Sequence, residues 1–229
     1  MRVRQWRDRW VWVLLPLMGV ALYLNFVGTP DDRILGASQR IFYVHMGTAT
    51  TAGLAFTVTA ACSILYLVTK NLAFDVVAAA SAEIGTVFTT MLLVTGVLWG
   101  RAAWGVWWTW DPRLTATVIL WVLFLAYLLV RGWTESVEPR ARLSAVLALA
   151  AYVDVPIDYM TIRWWKSIHP VVITSHGIQM APVMVLAMFV SMAAMLALYG
   201  AWMQLRVRLG RVESGLDVLK QRLRSRMEE

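Results

Sequence analysis

From residue 46 to residue 69 the chain runs without a single charged side chain, and that stretch dictates the class of fold. About 18 to 20 apolar residues are enough for a helix to cross a bilayer. Inside lipid only helices and closed barrels satisfy their own backbone hydrogen bonds. Six apolar blocks can be drawn, over residues 10–27, 46–69, 76–99, 114–130, 143–160 and 178–203. The expected fold is therefore all-α, an integral membrane protein with six transmembrane helices. Only 15% of the residues are charged, against about 25% in a soluble domain. The first block follows a basic leader, as in a signal peptide, but it is too long for one and no small-x-small cleavage site follows. The fifth block is the weakest, because Asp154 and Asp158 interrupt it near its end.

The placement of basic residues predicts the orientation. With the amino terminus inside, 15 of the 21 Lys and Arg fall on the inner side, and an inner excess is what membrane insertion favours. Both termini are expected in the cytoplasm. Residues 1–204 then form one transmembrane unit, with residues 205–229 as a basic amphipathic cytoplasmic tail. Its apolar residues at 212, 216, 219 and 223 suit the inner leaflet or a cytoplasmic partner. Basic residues that flank bilayer helices do not make a nucleic-acid patch. No P-loop and no Cys-x-x-Cys-His is present, so neither a P-loop ATP site nor covalent c-type haem is expected. Cys62, alone in an apolar block, reads as a packing residue.

Between the third and fourth blocks, residues 99–115 hold five of the 13 tryptophans: Trp99, Trp104, Trp107, Trp108 and Trp110. An interfacial aromatic belt accounts for two or three of them; five with interleaved Gly100 and Gly105 point to a platform for a large planar ligand. Haem fits, being apolar across its face, with propionates at one edge and an iron that takes imidazole ligands. All three histidines fall on the same outer side. His45 and His169 come from different outer segments as candidate axial ligands, with His176 as the alternative to His169. Arg101 and Arg113 are candidates for the propionates. Asp111-Pro112 is expected to start the fourth helix, as N-cap and first residue. Glu83 is expected to pair with a neighbouring helix or reach the interface. Asp154 and Asp158 are expected to pair with Arg163 or Lys166, or to cap the helix near Pro156. No nucleophile–base arrangement is visible, so no catalytic residue is assigned and the chain is not expected to be an enzyme. Beside a purely structural subunit whose tryptophan loop is a lipid belt, two other functions remain open on the residues alone. One is a transmembrane b-type electron carrier, which needs histidines in both leaflets. The other is the haem-export permease subunit of an ABC transporter.

The string from Trp99 to Thr115 resembles the signature Trp-Gly…Trp-Gly…Trp-x-Trp-Asp-x-Arg-Leu-Thr of the WWD family, the haem-handling proteins of cytochrome c biogenesis. Within it the chain is most similar to the CcmC family, through the segments Arg40-Ile41-Phe42-Tyr43-Val44-His45 and Trp164-Trp165-Lys166-Ser167-Ile168-His169. The resemblance extends to about residue 203. It implies non-covalent haem b at the outer face of a bacterial or archaeal cytoplasmic membrane. His45 and His169 are the implied axial ligands, and the Trp-rich loop, with Gly105 and Asp111, is the implied haem contact. The implied partners are the periplasmic haem chaperone CcmE and the subunits CcmA, CcmB and CcmD.

Overall fold

The computed structural model describes residues 7–169, 173–174, 177–178 and 180–228. Helix α1 (Arg7–Tyr23) continues into a π-helical turn at Leu24–Gly28. There follow α2 (Gln39–Thr69), α3 (Leu72–Trp104), α4 (Pro112–Trp133), α5 (Val137–Tyr152), α6 (Asp154–Trp164) and α7 (Pro182–Glu228). A two-residue antiparallel pair, β1 (Ile173–Thr174) with β2 (Gly177–Ile178), joins α6 to α7. Among the described residues five helical stretches are long and apolar enough to cross a membrane, one of them the joined α5–α6 segment. The first apolar helix, Trp12–Gly28, is shorter, at roughly 25 Å against a hydrocarbon core of roughly 30 Å.

The local chemistry of each turn sets the helix ends. Lys70 adopts the left-handed conformation (φ 58°) and its N–H closes α2 on the Tyr66 carbonyl at 2.7 Å. Asn71 caps α3 by accepting the Ala73 N–H at 2.9 Å. Gly105 ends α3 in the left-handed region (φ 77°), where a side chain would be strained. The expected start of α4 is present: Asp111 accepts the Arg113 N–H at 3.0 Å, and Pro112 is the first helical residue. The fifth apolar block is broken at Val153 into α5 and α6. Pro156 has no N–H for the Tyr152 carbonyl four residues back and its ring clashes there, so the break falls where proline puts it.

The core is built by close approach of small residues around stacked aromatics. Phe56 and Phe124 stack at 3.7 Å between centroids, and Gly85 lies so close that a Cβ there would meet the Phe56 ring at 2.8 Å. Gly47 likewise lets α2 approach α7, where a Cβ would come within 3.1 Å of the Ser191 carbonyl. In apolar surroundings polar groups must find each other. Asn25 and Ser191 exchange hydrogen bonds at 2.9 and 3.0 Å, and Ser81 shares one with Tyr199 at 2.7 Å.

The chain alternates between the two ends of this bundle. One end collects the α3–α4 turn, the start of α2 and the segment after α6. The other carries the ion pairs Arg131–Asp75 (two contacts of 2.7 Å), Arg206–Glu83 and Arg206–Glu213 (3.1 Å). Glu83 thus pairs with a neighbouring helix. Arg206 belongs to α7, which continues unbroken past residue 205 to Glu228. At the boundary expected between membrane unit and tail α7 runs on as one helix, and Arg206, just past that boundary, is paired to α3.

Candidate functional site

His45 sits in the second turn of α2, facing α3. Its Nδ1 is 3.0 Å from the Thr95 hydroxyl oxygen. With that hydroxyl's proton turned to the Met91 carbonyl 2.8 Å away, its oxygen accepts from the ring. The proton is then on Nδ1, and Nε2 keeps its lone pair. Gly96 makes room for this ring: a Cβ there would lie 3.2 Å from His45 Cε1. Trp99, one turn further along α3, stacks on the same imidazole at 6.4 Å between centroids and an interplanar angle of 24°.

His169 reaches the site from the segment after α6, and Asp111 holds it there. Asp111 Oδ1 lies 3.3 Å from His169 Nδ1 and accepts the Ser167 hydroxyl at 3.0 Å, while Oδ2 accepts the Ile168 N–H at 2.9 Å. Burial opposes the charge on Asp111, but the Ile168 N–H, the Ser167 hydroxyl and the Arg113 N–H outweigh it. The carboxyl is held below the usual aspartate range. Burial, helped by the Arg113 charge and opposed by Asp111, pushes the His169 imidazolium below its usual range, so the ring is neutral at pH 7. The carboxylate engages Nδ1 and leaves Nε2 free, which is how carboxylates orient metal-binding imidazoles.

Both histidines line one cavity of about 370 Å³, framed by α2, α3, α4 and α6. It is a slot that runs down into the bundle from Phe42, His45, Trp99 and His169 to Ala52, Thr89, Leu120 and Val155. Its walls are mostly apolar and carry small residues, Ala49, Gly53 and Gly96. A planar apolar ring system with an iron to be held by two imidazoles suits such walls, and the volume lies within the usual range for ligand cavities of about 300–1,000 Å³. Trp99 borders it with its indole N–H buried and unpartnered among the described residues.

The five tryptophans divide into two groups. Trp99 and Trp104 lie within α3, so the irregular part of the 99–115 segment is only residues 105–111. Trp104 packs edge-on between Trp99 (5.1 Å) and His169 (5.0 Å), joining the two histidine walls. Trp107 and Trp110 are 58% and 76% exposed and, like Trp108, lie off the cavity lining. Trp108 and Trp110 meet edge-on at 5.6 Å. Arg113 lines the cavity. Arg101 does not: its guanidinium donates to the Gly105 carbonyl and lies 5.6 Å over the Trp107 ring.

Asp158 lines the cavity and accepts the Thr117 hydroxyl at 3.1 Å, while one oxygen of Asp154 is buried without a partner. Neither pairs with Arg163 or Lys166 among the described residues. His176 lies outside the described residues. The sequence reading missed the partners of the histidines, Thr95 and the second role of Asp111, and the depth of the slot. The available signal was Thr95-Gly96, a hydroxyl beside a glycine in the apolar stretch from Met91 to Gly100.

The profile of the family described as CcmC, heme exporter protein C, matches residues 2–222. A ccmC-like mitochondrial protein of cytochrome c biosynthesis from Marchantia polymorpha is 31% identical over 193 residues, 84% of this chain and 82% of that protein. Heme exporter protein C of Bradyrhizobium diazoefficiens is 35% identical over 153 residues, 67% of this chain and 58% of that protein. Its counterpart in Haemophilus influenzae is 34% identical over 155 residues, 68% and 63% of the respective chains. The match thus spans under two thirds of the length of these two bacterial proteins.

Proposed function

The chain belongs to the CcmC, or heme exporter protein C, family, and from that premise we propose that it holds haem for cytochrome c biogenesis and hands it to a periplasmic chaperone. The cargo is haem b, bound without a covalent link. His45 and His169 offer their Nε2 atoms to the iron, which takes two axial ligands. The observation that carries this reading is that both imidazoles line one cavity and each has its Nδ1 engaged, by Thr95 in one case and Asp111 in the other. Trp99 and the apolar slot cover the ring and exclude water, and Trp104 keeps the two ligand segments in contact.

The exposed Trp107 and Trp110 stand beside the slot and suit the surface that meets the chaperone CcmE, since aromatic side chains dominate binding hot spots. CcmA, CcmB and CcmD are the companion subunits. The excess of basic residues at the far end supports a cavity on the outer face of a bacterial or archaeal cytoplasmic membrane, in a chain with six spans and both termini inside. The chain binds and transfers; it breaks no bond. The test is a visible spectrum of the detergent-purified protein loaded with haem. His45→Ala and His169→Ala are each expected to abolish the bis-histidine bands. Retention of those bands in either variant refutes that ligand.

A further inference from the structure

The haem reading leaves open what holds the two carboxylates of the ring. A planar apolar dicarboxylate sinks its body into an apolar slot only if both carboxylates meet cations at the rim. Helix α6 turns one face toward the slot, through Val155, Asp158, Tyr159 and Ile162, and its last turn brings Arg163 to the lining. Arg113 reaches the same lining from the first turn of α4, where the helix N-terminus adds partial positive charge.

Neither guanidinium forms a hydrogen bond or ion pair among the described residues; Arg163 lies only 6.0 Å over the Tyr159 ring. Of the other cations of this end, Arg33 and Lys166 do not line the slot, and Arg101 and Arg40 are engaged elsewhere. Arg101 is folded onto Gly105 and Trp107. Arg40 donates to the Phe26 carbonyl at 2.9 Å and to Asp31 at 2.8 Å. Deeper in the slot lies Asp158, one turn and more below Arg163; it feels the charge of Arg113 from within the slot and gives a ligand carboxylate no cationic partner at that depth.

We propose that Arg163 and Arg113 form a two-cation clamp for the two propionates, with Arg163 as a binding residue in place of Arg101. This rests on the haem reading and extends it to the orientation of the ring, carboxylates at the rim and apolar edge toward Leu120. Helix α6 is thereby a wall that selects diacid porphyrins, and the break at Val153 frees it to supply the second cation.

Haem and haem dimethyl ester, which lacks both carboxylates, separate a clamp from a structural role. The full chain in detergent is titrated with each, and affinity is read from the visible spectrum. Wild type is expected to prefer the diacid. Arg163→Gln is expected to weaken haem by about tenfold, the scale of one charge-assisted contact, and to leave the ester within twofold of wild type. Arg163→Lys should restore much of the preference, and Arg101→Gln should leave it unchanged. Equal weakening of both ligands by Arg163→Gln, or an undiminished preference for the diacid, overturns the clamp. A wild-type protein that shows no bis-histidine spectrum with either compound refutes the haem reading itself.

Discussion

Asp111→Asn changes one atom of the residue that fastens the α3–α4 turn to the segment bearing His169. Asparagine is as good an N-cap as aspartate, so α4 keeps its start. The difference lies in the acceptors. Oδ1 faces three donors, the Arg113 N–H, the Ser167 hydroxyl and His169 Nδ1, while Oδ2 takes the Ile168 N–H at 2.9 Å. An amide keeps one acceptor. With its oxygen left toward the three donors, its NH2 confronts the Ile168 N–H and strands it. At a side chain with 5% exposure, a stranded donor costs about 1–3 kcal/mol. The hydrogen bonds that remain lose the charge that strengthens them. Much of this cost falls on the placement of His169, and removing such a partner of a ligating imidazole typically lowers affinity 10- to 100-fold. Haem affinity of Asp111→Asn, measured by spectroscopic titration of the detergent-purified protein, should fall within that range while the α-helical circular dichroism is unchanged. Affinity within twofold of wild type would show that Asp111 does not act through His169.

Gly53 lines the slot and a Cβ there meets nothing within 4 Å. Gly53→Trp should therefore fill the cavity without disturbing a helix contact. The expected result is a loss of haem uptake of tenfold or more at an unchanged thermal midpoint. Trp99 and Trp110 should differ sharply. Trp99 is 5% exposed and bounds the cavity, so Trp99→Ala should cost about 3–5 kcal/mol of stability along with haem retention. Trp110 is 76% exposed; its alanine variant should keep haem and stability within about 0.5 kcal/mol, and should slow transfer to the purified chaperone. Chemical denaturation and a haem-transfer assay read these outcomes.

Much of the helical framework is legible in the sequence because it depends on neighbours along the chain. The charge-free block at 46–69 lies within α2, Asp111-Pro112 starts α4, and Gly105 ends α3, each for a reason contained in a few consecutive residues. The acids at 154 and 158 marked the weakness of the fifth block. Pro156, two residues past the start of α6, is what breaks the helix at Val153. The tryptophan segment was harder. Its density was plain, but Trp99 and Trp104 continue α3, and helical geometry turns them inward while Trp107 and Trp110 stay outside. The tail boundary near 205 was drawn from charge alone; the packing adds that Arg206 is bound to Glu83 on another helix and that α7 runs through the boundary.

Hydropathy and charge order along the chain thus determined a helical membrane protein with most of its tryptophan-rich segment and its histidines between the apolar blocks. Those are properties of contiguous residues, and the bilayer acts on them segment by segment. Only the packed structure decided that His45 and His169 share one slot, that Thr95 and Asp111 aim their rings, and that Arg163 joins the rim. Asp111 and Ile168 meet across 57 residues of chain. Such contacts depend on which helix faces pack together, and no local pattern encodes that.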